Sequence, residues 1–259
     1  MKCIRVMAAA FVAMTTLVVA GPADATDFYE LQLYTVATEP QGQLLAELHS
    51  NSITHAYSRN TELPLYQIHN TLEFTYGVLP WLEVGQYLCT ARLDTGVYEY
   101  AGARSKVHFG VPQSESWPIA IGANIEFQYM RREAVDDPLN VEFMPIIQGT
   151  VKGFFVVANL AFEKQFSGPG THAGIGFEPA GEIAYRLPGI MHWLEPTLEY
   201  YGEIGPIEHP LPINQQQQFI VPAVNLYTLE PLEFNFGVGF GVTRAWRGNF
   251  VKGTIGWSF

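Results

Sequence analysis

The stretch Tyr66-Gln67-Ile68-His69-Asn70-Thr71-Leu72-Glu73-Phe74-Thr75-Tyr76-Gly77-Val78 decides the fold class. Tyr66, Ile68, Leu72, Phe74, Tyr76 and Val78 share one face of a two-residue repeat, while Gln67, His69, Thr71, Glu73, Thr75 and Gly77 share the other. Only Asn70 interrupts the apolar set. Successive side chains of an extended chain point to opposite sides, so the pattern is a strand with one apolar and one polar face. It recurs along the chain. Phe154, Val156, Ala158, Leu160, Phe162 and Phe166 oppose Asn159 and Glu163; Leu194, Leu198, Tyr200 and Ile204 oppose Glu195, Thr197, Glu199, Tyr201 and Glu203. Leu232, Phe234, Phe236, Val238, Phe240 and Val242 oppose Glu233, Asn235 and three glycines. Helical stripes are almost absent, and the chain reads as all-β.

A soluble sandwich also alternates, and three features separate it from a transmembrane barrel. The C-terminal segment sets Val251, Ile255, Trp257 and Phe259 on one face and ends on Phe259. That ending resembles the signal by which bacterial outer-membrane barrels are recognised by their assembly machinery, with Gly253 one place earlier than the usual glycine. Trp81, Trp117, Trp193 and Trp257 fall at strand ends that share one side if strands run up and down, as in an interfacial aromatic girdle. Connections on that side are tight, as at Leu79-Pro80, Lys152-Gly153 and Leu187 to Met191. Those on the other side are longer, as at Arg132 to Leu139 and Pro206 to Gln218. Short periplasmic turns and longer external loops have this asymmetry.

Counting back from Phe259 gives strands near 249–259, 232–243, 218–229, 193–204, 172–187, 154–166, 140–151, 118–131, 97–111, 81–92, 65–78 and 44–58. The expected architecture is a transmembrane antiparallel up-and-down β-barrel of about twelve strands, with ten or fourteen also compatible with the spacing. Asp27 to Ala37 would make an odd thirteenth strand, so residues 26–43 are expected as a periplasmic lead-in and 44–259 as the barrel. Residues 1–25 read as a cleaved signal peptide: Lys2 and Arg5, an apolar run from Met7 to Val19, and the A-x-A site Ala23-Asp24-Ala25. The implied location is the outer membrane of a Gram-negative bacterium, with lipid around the barrel.

The 259 residues carry 14 basic and 25 acidic side chains, a formal charge of −11, which excludes a phosphate-binding surface for nucleic acid. Two cysteines, one of them in the leader, exclude a disulfide framework. None of the seven histidines has serine two places later, and H-E-x-x-H and G-x-S-x-G are absent, so the sequence offers no catalytic, cofactor or metal-binding motif. The informative surface is the inner face. Glu73, Glu83, Glu126, Glu142, Glu163, Glu178, Glu182, Glu195, Glu199 and Glu233 project opposite the apolar sets, accompanied by Lys152, Arg186 and Lys252. Such carboxylates either pair with bases to brace a narrow barrel or make a cation-preferring lumen. Glu47, His49, His55 and His69 share an inner face on adjacent strands. Interior histidines are usually hydrogen-bonded, and metal ligation is the sharper alternative.

The segment Asn70-Thr71-Leu72-Glu73-Phe74-Thr75-Tyr76-Gly77-Val78-Leu79-Pro80-Trp81-Leu82-Glu83-Val84-Gly85 resembles the hairpin E-x-x-Y-G-[IV]-x-x-x-[LF]-E-[LV]-G of outer-membrane barrels grouped as "MetA-pathway of phenol degradation". Leu232 to Val238 is a weaker echo. The chain departs from that pattern in having Leu79-Pro80-Trp81 at the turn. The resemblance implies a barrel fold and uptake of aromatic compounds, and it transfers no site residue. The sequence therefore points to a passive channel or uptake pore for a small solute. A structural or enzymatic barrel with a filled lumen and a secreted ligand-binding β-protein are the alternatives.

Overall fold

The computed structural model describes residues 28–55, 67–92, 96–112, 117–229, 231–246 and 248–259. The expected signal peptide lies outside the described residues. The strands are β1 (Leu44–His55), β2 (Gln67–Leu79), β3 (Leu82–Arg92), β4 (Tyr98–Gly110), β5 (Ile119–Met130), β6 (Leu139–Val151) and β7 (Phe154–Gln165). They continue as β8 (Gly176–Ala184), β9 (Leu194–Glu203), the two-residue β10 (Gly205–Pro206), β11 (Gln217–Leu229), β12 (Leu232–Gly241) and β13 (Asn249–Ser258).

Twelve of these form a closed antiparallel barrel in which each strand pairs with its sequence neighbours. The remaining one, β10, only extends the edge of β8. Closure comes from β1 on β13, in register from Leu45 opposite Ser258 to Ile53 opposite Phe250. A closed sheet leaves no unpaired backbone edge, which a hydrocarbon environment demands. The period-two pattern becomes two surfaces. Leu48, Leu72, Phe74, Leu88, Phe127, Phe143, Leu198 and Ile255 face outward, while Thr71, Glu73, Thr75, Tyr87 and Glu199 are buried inside. This is a transmembrane barrel of the bacterial outer-membrane type.

The two-residue turn Lys152–Gly153 joins β6 to β7 with positive φ at both positions (51° and 85°), as a tight primed hairpin requires. Lys152 is consequently exposed at the turn rather than inside the barrel, a correction to the sequence reading. Trp81, Trp117, Trp193 and Trp257 all lie at this turn end with exposed rings.

The largest departure from the sequence reading concerns residues 28–41. They form no strand and, in place of the expected periplasmic lead-in, pack inside the lumen from the loop end to the turn end. Phe28 packs against Phe219, Trp246 and Phe250 near the loops. Tyr29 packs in the cluster with Tyr87, Cys89 and Met130, and Tyr34 and Val36 in that with Ile146 and Val157. At the far end the Gly42 amide donates to Gly77 O (2.8 Å). Fourteen extended residues reach roughly 45 Å, enough to traverse an apolar band about 25 Å tall.

Inward side chains take the place of a neighbouring strand for this segment. Asn159 Oδ1 accepts from the Tyr34 amide at 2.7 Å and its Nδ2 donates to Tyr34 O at 2.9 Å. Gln148 accepts from the Val36 amide, Asn51 donates to Phe28 O, Thr71 to Tyr29 O, and Glu83 accepts from the Glu39 amide. Backbone groups away from bulk water are thereby satisfied without a ladder. Gly77 makes room for the segment, since a Cβ there would sit 2.3 Å from Pro40 O. Gly239 serves the wall itself, because its missing Cβ is where the Phe250 ring lies.

Candidate functional site in the barrel lumen

Among the described residues two cavities flank the threading segment, and Leu31 and Gln32 line both. The cavity toward the turn end measures about 410 Å³ and carries Glu47, Glu182, Glu195, Glu199 and Glu233 against Arg186 and Lys252. The smaller, about 90 Å³ toward the loops, carries Glu30, Glu126, Glu142, Glu163, Glu178 and Glu203 against Arg104. Strand parity puts these groups inside. Lipid on the outer face leaves the inner face as the place where charge is tolerated.

Three charged networks brace the walls. In the first, Lys106 Nζ donates to Glu73 Oε1 at 2.7 Å and lies 3.5 Å from Glu83 Oε1. Thr75 Oγ1 also donates to Glu73 Oε1 (2.7 Å), and His49 Nε2 lies 3.1 Å from Glu73 Oε2. In the second, Lys252 Nζ is 2.6 Å from Glu199 Oε2 and 2.9 Å from the Tyr201 hydroxyl, which itself donates to Glu199. Asn235 and Asn225 carry this network toward Glu195, which receives Arg186 Nε at 3.2 Å. The third ties the threading segment to the wall through Arg104 and Glu30, 3.0 Å apart. At the turn-end mouth, burial and then the neighbouring Glu83 push the Glu39 carboxyl above its ordinary value.

The structure distributes the sequence-predicted residues unevenly over these networks. Glu73, Glu83, Glu126, Glu195 and Glu199 are buried on the inner wall. Glu142, Glu163 and Glu178 line the smaller cavity, and Glu182, Arg186 and Glu233 the larger. Of the expected histidine cluster, His49 and His69 lie among the described side chains. His69 sits against Tyr29, with ring centroids 4.5 Å apart, and beside Gln67, while the His55 side chain lies outside what is described. Glu47 and Glu73, directly opposite one another on β1 and β2, join His49 instead. Sequence reasoning missed Arg104 and Lys106. The alternation Arg104-x-Lys106-x-His108 on β4, with Ala103, Ser105, Val107 and Phe109 on the other side, carried the signal.

No protein-family model and no curated protein matches the sequence. Solved structures do match in fold. The COG4313 outer membrane channel from Pseudomonas putida F1 aligns over 89% of this chain and 100% of its own, with a TM-score of 0.60 and 9% identity. The KdgM porin aligns over 83% of this chain and 99% of its own, with a TM-score of 0.54 and 8% identity. The same porin in complex with disordered oligogalacturonate gives 0.53 and 9% over the same shares. At such identities the likeness is one of architecture, an outer-membrane barrel.

Proposed function

We propose that the protein is a narrow, passive, cation-preferring channel of the outer membrane, with residues 28–41 as its internal constriction. The observation that carries this reading is the pair of acid-lined cavities meeting at Leu31 and Gln32. Carboxylates outnumber bases in both, and low-dielectric walls focus that excess into a field that draws cations and repels anions. The turn-end cavity admits a small solute. The fold it shares with a porin and a channel supports passage, and the hairpin resemblance makes an aromatic compound, particularly a cationic one, the first solute class to try.

The threading segment itself favours a second reading, a barrel that stays filled and serves a structural role. Planar-bilayer recording separates the two. Channel activity predicts single-channel steps and, in a KCl gradient, a reversal potential of the sign for potassium. Absence of steps, or a preference for chloride, would overturn the channel reading.

A further inference from the structure

We propose that Glu47, His49 and Glu73 form a binding site for one first-row divalent metal ion of the zinc class on the lumen wall. One ligand atom from each, the two carboxylate oxygens and an imidazole nitrogen, lies within 4.8 Å of the other two. The register explains how. Glu47 and Glu73 face each other across the β1–β2 pair, and His49 stands two residues along β1 on the same inner face. Like charges placed directly opposite on paired strands repel, and a cation bound between them would offset that repulsion.

Lys106 offsets only part of it: its ammonium sits on Glu73 Oε1, not on the Oε2 that faces His49, and is shared with Glu83. Three carboxylates and one ammonium leave an excess of two negative charges when all are ionised, which one dication cancels. Glu47 points to the same conclusion independently. It is 9% exposed and, alone of the three, has no hydrogen-bond or ion-pair partner among the described residues, although its carboxylate is directed at the other two. It lines the turn-end cavity, so its oxygens present an open ligand position toward the other two groups.

The surroundings suit coordination. His49 Nδ1 lies 3.3 Å from Thr254 Oγ1, a contact that can hold the proton on Nδ1 and leave the Nε2 lone pair toward Glu73. The separation of 3.1 Å between His49 Nε2 and Glu73 Oε2 matches the edge between two adjacent ligands about 2.1 Å from one metal. Glu47 and Thr254 also line the turn-end cavity, which supplies the entry path and water for the remaining coordination positions. One imidazole with two carboxylates favours zinc, manganese or nickel over magnesium or calcium, which prefer oxygen alone. The proposal does not depend on whether the barrel conducts.

The test uses tag-free full-length barrel in detergent, stripped with a chelator and titrated with zinc chloride by calorimetry. The expected result is one saturable equivalent in the unmutated protein, with binding weakened about tenfold or more by Glu47→Gln and by His49→Gln. Glu133→Gln, in the exposed loop after β5, is expected to leave binding unchanged. Heat-modifiable gel migration verifies that each variant is folded. X-ray absorption of the unmutated one-equivalent complex gives an answer without any variant: one imidazole and otherwise oxygen ligands are expected. No saturable binding, more than one imidazole, or affinity indifferent to both substitutions in folded protein would overturn the site.

Discussion

Replacing Asn159 with leucine tests whether the threading segment is held by the wall or merely lies against it. Asn159 is 1% exposed, and its amide makes both hydrogen bonds available to the Tyr34 backbone, at 2.7 and 2.9 Å. Leucine keeps nearly the same shape and removes both. Each such bond contributes about 0.5–1.5 kcal/mol net, and each backbone group left dry costs about 1–3 kcal/mol. Tyr34 lines the smaller cavity, so water can replace part of the loss and the sum falls near 2–3 kcal/mol. At 1.4 kcal/mol per factor of ten, the unseated population of the segment rises roughly 30- to 150-fold. Amide hydrogen exchange in detergent reads this directly. Protection at Tyr34 and Val36 should fall by that factor while the strands keep theirs. Gln148→Met removes only the bond from the Val36 amide and should produce a smaller drop. Unchanged protection in the Asn159 variant would refute the reasoning. So would a loss spread evenly through β6, β7 and β8, because the residue would then be bracing the barrel.

Gly77→Val puts a side chain where Pro40 O and Glu39 O lie, both backbone atoms that cannot turn aside. Bilayer recording should show larger or more frequent openings with normal heat-modifiable migration. Lys106→Met leaves the fully buried Glu73 facing His49 without its ammonium, a loss of about 3–5 kcal/mol that should lower the thermal midpoint of the barrel at neutral pH. Ile213, 69% exposed in the loop after β10, should label from outside intact cells when replaced by cysteine, since Cys89 is buried; labelling only after membrane disruption would invert the orientation. Deleting Phe259, a 71%-exposed residue whose amide bonds Leu44 O, removes little packing, so a large fall in membrane yield would point to recognition during assembly.

The outer surface of the barrel was legible because one physical demand governs it. Every second residue must satisfy lipid, so Leu72, Phe74 and Tyr76 on β2, or Phe154, Val156 and Ala158 on β7, announce their strand without reference to any partner. Twelve strands and their order follow from that pattern and from the turns between them. Residues 28–41 obey no such demand. Their run of Phe28, Tyr29, Leu31, Tyr34 and Val36 reads as a strand, yet no ladder forms. Asn159 and Gln148 from the opposite wall supply the backbone partners, and nothing local in either segment marks that pairing across more than a hundred residues. The wall does carry a trace. Tyr87, Ile146, Val157, Phe219 and Phe250 are large apolar side chains on the face expected to be polar, and a water-filled lumen gives no reason for them. They are the surface on which the segment packs.

The chemistry of the lumen was less legible than its location, because it depends on register. Glutamate on the inner face can be assigned from parity alone, but whether it meets a base, another glutamate or a histidine depends on which residue of the next strand lies opposite. Glu73 meets Glu47 on one side and Tyr87 on the other. Lys106 reaches it from β4, past an intervening strand, where Gly85 leaves space along the lysine side chain. A shift of one residue between β1 and β2 would turn Glu47 toward lipid and dissolve the cluster, which the apolar outer face forbids. The outward pattern therefore fixes the inward chemistry. Leu48 and Leu72, facing the membrane at the same level of the β1–β2 pair, hold Glu47, His49 and Glu73 together on the other side.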